Sequence, residues 1–181
     1  MDNILLDACC LINLLSTGRI GEMLLALPCA FHVCDAVVQE SLFIEIIEES
    51  QTHHRVPVDL SSHFDASVFR RAQPETTDEI AAFVRYAAVL DDGEAMSFGL
   101  AKCRSWAVAT DDRKARRLAI AEGITTTSTI ELLKEWSERT SALDKVVRDA
   151  VQRVATLGRY RPSQNTPEAS WWRAKGGPIN S

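Results

Sequence analysis

Trp106-Ala107-Val108-Ala109-Thr110-Asp111-Asp112-Arg113-Lys114-Ala115-Arg116-Arg117-Leu118-Ala119-Ile120-Ala121-Glu122-Gly123-Ile124-Thr125-Thr126-Thr127 changes its hydrophobic period twice. Trp106 to Ala109 has the composition of a buried strand. Arg113 to Glu122 predicts a helix ended by Gly123, and Ile124 to Thr127 predicts another short strand. Strand, helix, strand is the repeating unit of a parallel sheet, whose neighbouring strands need a crossover between them. The same alternation extends upstream. Ile4 to Leu6 reads as a strand, and Leu11 to Leu15 as a short helix running into the breaker Ser16-Thr17-Gly18. Ile20 to Leu27 predicts a helix stopped by Pro28, and Ala30 to Cys34 a strand.

Asp35 is placed to cap a helix over Val37 to Glu49, with Glu45, Glu48 and Glu49 on a solvated face. From Ser50 to Pro74 the pattern weakens: Thr52 to Arg55 and Ser61 to His63 read as loop around an extended piece, Val56 to Leu60. Thr77 then caps a helix from Asp78 to Val89, where Ile80, Phe83, Val84 and Ala87 recur at helical spacing. A second helix follows Leu90-Asp91-Asp92-Gly93 and runs to Cys103. Downstream, Ser128 or Thr129 caps a helix from Ile130 to Glu138. A further helix, Leu143 to Leu157, carries Leu143, Val146, Val147, Ala150, Val151 and Val154 on one stripe. The expected fold is α/β, a parallel sheet with helices on both faces, plus a C-terminal helix and tail. The expected division is a catalytic domain over 1–140 and an appendage over 141–181. In that tail Trp171-Trp172 can either anchor a partner or fold back on the core.

A length of 181 residues with 46% hydrophobic content suffices for one domain with a sizeable core. A formal net charge of −5 excludes wholesale attraction to nucleic acid or an anionic membrane, so such a ligand must be held by a local basic patch or by bridging metal ions. The start carries acids rather than a basic region, and no window approaches about 18 uninterrupted apolar residues. A cytoplasmic protein without a membrane span is expected. The five cysteines, Cys9, Cys10, Cys29, Cys34 and Cys103, have no paired CxxC spacing and read as reduced thiols. A metal clip of Cys29, His32 and Cys34 is the lesser alternative. The pair His53-His54 reads as loop.

Four acids stand where apolar segments end: Asp7, Glu40, Glu94 and Asp112. In an open α/β sheet the functional crevice lies beyond the carboxyl ends of the strands, where Asp7 and Asp112 would fall. Glu40 and Glu94 would occupy the first turn of helices starting at the same edge. Burying a lone carboxylate costs several kcal/mol unless it is protonated, paired or bound to a cation. An oxygen-only ligand set of this kind suits Mg²⁺ or Mn²⁺. Each acid also has a plainer role: Asp7 as a turn or cap, Glu94 as a helix N-terminal charge, and Asp111 or Asp112 as cap of the next helix. Arg113, Lys114, Arg116 and Arg117 form the best local patch for backbone phosphates, or else a solvated face with Arg116 or Arg117 paired to Glu122.

Leu5-Leu6-Asp7 with Leu11-Ile12, Val37-Val38-Gln39-Glu40, Leu90-Asp91-Asp92-Gly93-Glu94-Ala95 and Val108 through Arg116 together resemble the PIN domain family across residues 3 to 135. The resemblance is strongest to small prokaryotic members with an L-D-x-G-E-A helix start and a D-D-R-K-A-R segment. It implies a metal-dependent ribonuclease acting on single-stranded RNA, often the toxin of a toxin–antitoxin pair. Matched position by position, the family's acids fall on Asp7, Glu40, Glu94 and Asp112, with Asp111 adjacent to the last. Thr110 would position a ligand or water, and Arg113 and Arg116 the substrate. The resemblance further implies Mg²⁺ or Mn²⁺, hydrolysis to a 5′-phosphate and a 3′-hydroxyl, and an antitoxin partner; a homodimer is also expected. Residues 41 to 77 and the Trp-containing tail depart from the family pattern. The alternative is a catalytically inactive PIN-like module that binds RNA or protein. An Asp-x-Asp phosphatase is set aside, because Asp7 is followed by Ala8-Cys9.

Overall fold

Ile4, Leu5 and Leu6, the apolar residues of β1 (Asn3–Leu6), are all buried although successive strand side chains point to opposite faces. Both faces of this strand are therefore covered, as a parallel sheet requires. The computed structural model describes residues 2–39, 43–47 and 53–180, and for 43–47 and 53–55 the backbone alone. β1 pairs in parallel with β2 (Ala30–Cys34), Leu5 opposite His32, and on its other side with β6 (Ala107–Ala109), Leu5 opposite Val108. Outside these lie β5 (Arg70–Ala72), paired with β2, and β7 (Thr126–Thr127), paired with β6. The order β5-β2-β1-β6-β7 places β1 where the chain reverses its direction of travel across the sheet. That switch point is where an open parallel sheet forms its crevice.

Two compact units are distinguished. The first, Met1–Leu11, Pro28–Leu42 and Asp59–Ser128, contains the whole sheet. It also holds the helices α3 (Asp35–Gln39), α4 (Ser61–Asp65), α5 (Thr77–Ala87), α6 (Asp92–Arg104) and α7 (Arg113–Glu122). α5 starts in a capping box, with the Thr76 side chain on the Glu79 N–H and Glu79 reaching back to the Thr76 N–H. A Cβ at Gly99 of α6 would sit 2.9 Å from the Phe83 backbone nitrogen, so glycine there lets α5 and α6 approach closely.

The second unit, Ile12–Leu27, Phe43–Val58 and Thr129–Ser181, takes the C-terminal part of α1 (Ala8–Ser16) and α2 (Ile20–Ala26). To these it adds the antiparallel pair β3 (Phe43–Ile47) and β4 (His53–Pro57), α8 (Thr129–Thr140), α9 (Asp144–Thr156) and α10 (Ala169–Ala174). α9 buries Val147, Ala150, Val151 and Val154. Trp172 folds back: it is fully buried, donates its indole N–H to Pro178 O at 2.8 Å and meets Tyr160 edge to face, while Trp171 is half-buried. Among the described residues no single helix is long and apolar enough to cross a membrane.

Five readings of the sequence are corrected. Within the helix expected over Val37 to Glu49, the β-branched run containing Ile44, Ile46 and Ile47 is instead a strand whose partner is β4, and α3 is described over Asp35–Gln39. His53 and His54 accordingly lie in a strand rather than a loop, and Ser61 to His63 open α4. The cap of α5 is Thr76, one residue before the one expected. β5 is a three-residue edge strand that carries two arginines and no apolar pattern. Lastly, Ile80 and Val84 are 52% and 62% exposed, because α5 turns Glu79 and Tyr86 inward instead, and Leu143 is likewise exposed.

Candidate functional site

Asp7 directly follows β1, and its backbone N–H continues the ladder to Ala109 O at 3.1 Å. Its carboxylate accepts the Cys10 N–H at 2.6 Å, so it caps α1, and it is also held by the Thr110 hydroxyl. Capping alone would leave this group ionised at the surface. Asp7 is instead 2% exposed, and its carboxyl is pushed up to about 8. Burial is the largest cause, and the charges of Asp111 and then Glu94 add to it, against the pull of the Thr110 and Cys10 hydrogen bonds.

Glu94 sits in the first turn of α6, half-buried. Asp91 caps that helix by accepting the Glu94 N–H at 2.9 Å, and the Asp91 N–H bonds back to the Glu94 carboxylate. The Glu94 carboxyl is pushed up to about 7, first by burial and then by Asp91 and Asp112, with Lys114 pulling the other way. Asp91 escaped the sequence reading, although an acid three residues before Glu94 is a capping signal.

Asp112 is exposed and caps α7 through Ala115 N–H at 2.7 Å, while its own N–H bonds to the Thr110 hydroxyl oxygen at 3.1 Å. Asp111 is half-buried and bears on Asp7. The two adjacent acids thus divide: Asp111 acts on Asp7, and Asp112 on Glu94. Glu40 lies outside the described residues. Thr110 is buried between these groups in sequence and in bonding, holding Asp7 and Asp112 at once.

Cys9 also belongs to the neighbourhood. Its thiol is pushed up to about 12 by lost hydration and then by Asp7, Asp111, Glu94 and Asp91, so it stays protonated and is no nucleophile. Of the basic row, Arg113 and Arg117 are exposed on α7, Arg116 is half-buried, and the Lys114 ammonium bonds to Val89 O. Glu122 is engaged by Arg85 at 3.3 Å and by the Tyr86 hydroxyl at 3.1 Å. His32 bonds Asn3 at 2.9 Å and stacks on Trp106, and Cys34 contacts Gly93 O and Ser97, so neither points to a metal clip.

Among the described residues no three His, Cys, Asp or Glu side chains already form a cluster tight enough for a metal ion. The donor set nonetheless matches a hard divalent cation in kind: carboxylate oxygens and a hydroxyl, coupled so that each acid raises another.

A family model described as a PIN domain matches residues 3–169 of the chain. No curated protein matches it.

Proposed function

The chain belongs to the PIN domain family, whose members are generally nucleases, and we propose that it is a metal-dependent ribonuclease hydrolysing phosphodiester bonds of single-stranded RNA. The observation that supports this most is Asp7: a buried carboxyl at the switch point of the sheet, with other acids bearing on it and no cationic side chain among the causes of its shift. Asp7, Glu94 and Asp111 or Asp112 are the residues that would hold Mg²⁺ or Mn²⁺, with Glu40 the family's second acid. Such a cation supplies a more acidic water and neutralises charge on the phosphate.

The chain's own residues do the rest. Thr110 and the Cys10 N–H fix the Asp7 carboxylate in orientation, which lowers the cost of keeping it ionised. Asp91 fixes the N-terminus of α6 and with it Glu94. Arg113 and Arg117 offer exposed positive charge to the RNA backbone beside an otherwise acidic surface. The role of a toxin held by an antitoxin in the cytoplasm extends the same reading, and the exposed Ile80 and Val84 of α5 support a protein interface such as the homodimer expected from the sequence.

The test is cleavage of labelled single-stranded RNA with Mn²⁺ by the wild type, Asp7→Asn and Glu94→Gln. Each variant should lose at least about 100-fold in kcat. Equal cleavage by the variants would overturn the site, and no cleavage by any form on a broad RNA panel would favour the inactive binding module.

A further inference from the structure

Arg71 of β5 is held on two sides. Its guanidinium bonds Asp35 Oδ1 at 3.0 Å and lies 4.5 Å over the centre of the Phe64 ring, which in turn meets Phe69 edge to face at 4.7 Å. Asp35 also accepts from the Gln73 amide, so the carboxylate that anchors Arg71 is itself fixed. Phe69 is buried, and with Phe64 it makes an apolar backing for the guanidinium plane. Yet the Arg71 side chain is 52% exposed. A planar cation with one face packed, its edge bonded and much of its surface in water is a pre-formed stacking surface.

Its place in the sheet gives that surface a use. Arg71 pairs in register with Val33 and Ala72 with Cys34, while Leu5 pairs with His32 and with Val108. Extended by two residues, the β1–β2 register sets Asp7 level with Cys34, and so with Ala72, at the carboxyl edge. Asp35 and the head of Arg71 are therefore at the same edge as the acids, two strands from β1, or about 10 Å at the usual strand spacing.

We infer that the outer face of the Arg71 guanidinium, backed by Phe64, stacks a nucleobase of the RNA strand two or three nucleotides from the scissile phosphate. The inference rests on the ribonuclease reading above. Because Asp35 already neutralises the guanidinium, recognition here is by the π-face of a base and not by phosphate charge, unlike Arg113 and Arg117. Arg71 is thus a positioning residue for the substrate.

The experiment compares wild type, Arg71→Ala and Arg71→Lys with Mn²⁺ on fluorescein-labelled oligoadenylate, and the Asp7→Asn forms of each for binding. The binding arm adds an abasic oligonucleotide of the same length. Arg71→Ala should raise KM about tenfold while kcat stays within about twofold. It should weaken oligoadenylate binding but not abasic binding, and leave the salt slope unchanged. Arg71→Lys, which keeps the charge and loses the plane, should behave as Arg71→Ala does. If the wild type cleaves while Arg71→Ala keeps its KM, or if Lys restores it, the stacking site is refuted and the ribonuclease reading stands. If the wild type neither cleaves nor binds, the ribonuclease reading itself falls and the stacking site with it.

Discussion

Glu79 and Asp7 are two carboxylates buried to a similar degree, 4% and 2% exposed, and they are driven in opposite directions. Glu79 is pulled down to about 2, chiefly by Arg104, whose Nε lies 2.6 Å from its Oε1, with the Glu75 and Thr76 N–H groups adding to the effect. Asp7 also accepts a backbone N–H and a hydroxyl, yet it is pushed up to about 8. Hydrogen bonds are present in both places, so the difference is the balance of burial and charge: at Glu79 the Arg104 cation outweighs burial, whereas at Asp7 burial is the largest cause and further acids add to it. The first is a structural clasp between the start of α5 and the end of α6. The second is costly to the fold, which is why Asp7 carries the proposal of a metal site.

The comparison can be broken at the clasp first. Arg104→Ala would leave Glu79 as a buried acid without a cation and should cost about 3 kcal/mol in urea unfolding at neutral pH. The pH dependence has a definite sign. Glu79 is depressed from 4.5 to about 2. It therefore adds stability above the unfolded value, which is lost as pH falls through that window, and Arg104→Ala should lose this acid-side slope. A smaller effect separates the two adjacent acids. Asp111→Asn should reduce cleavage about 100-fold, or about 2.7 kcal/mol, because Asp111 bears on Asp7. Asp112→Asn should change it only about threefold, since asparagine caps α7 as well as aspartate does. A further change is in stability: Asp112→Ala should cost about 1 kcal/mol, readable as a lowered melting temperature that Asp112→Asn does not share.

What was legible in the sequence is what is local. The strands around Ile4 to Leu6, Ala30 to Cys34 and Ala107 to Ala109 are continuous apolar runs, and the helix from Arg113 to Gly123 carries its own stop signal. What was missed depends on residues far along the chain. β3 is a strand because β4 pairs with it, and β5 because β2 lends it a register. α5 presents Ile80 and Val84 to solvent because Arg104, from the end of the next helix, draws Glu79 inward. Asp7, Glu94 and Asp112 were legible as charges at the ends of apolar segments. The influence of Asp111 on Asp7 and of Asp112 on Glu94 was not, since it depends on distances in space between residues far apart in the chain.

The central claim is that Asp7 is an acid waiting for a cation, and thermal unfolding of wild type and Asp7→Asn with and without Mn²⁺ tests it most directly. Asp7 is raised from 3.8 to about 8 and Glu94 from 4.5 to about 7, so the folded metal-free protein holds protons that the unfolded chain has released. Between about pH 4 and pH 8 the metal-free wild type should therefore lose stability relative to Asp7→Asn as pH rises. Mn²⁺ should close that gap by raising the wild type alone. A difference that does not vary with pH, or a Mn²⁺ effect equal in both proteins, would contradict the account.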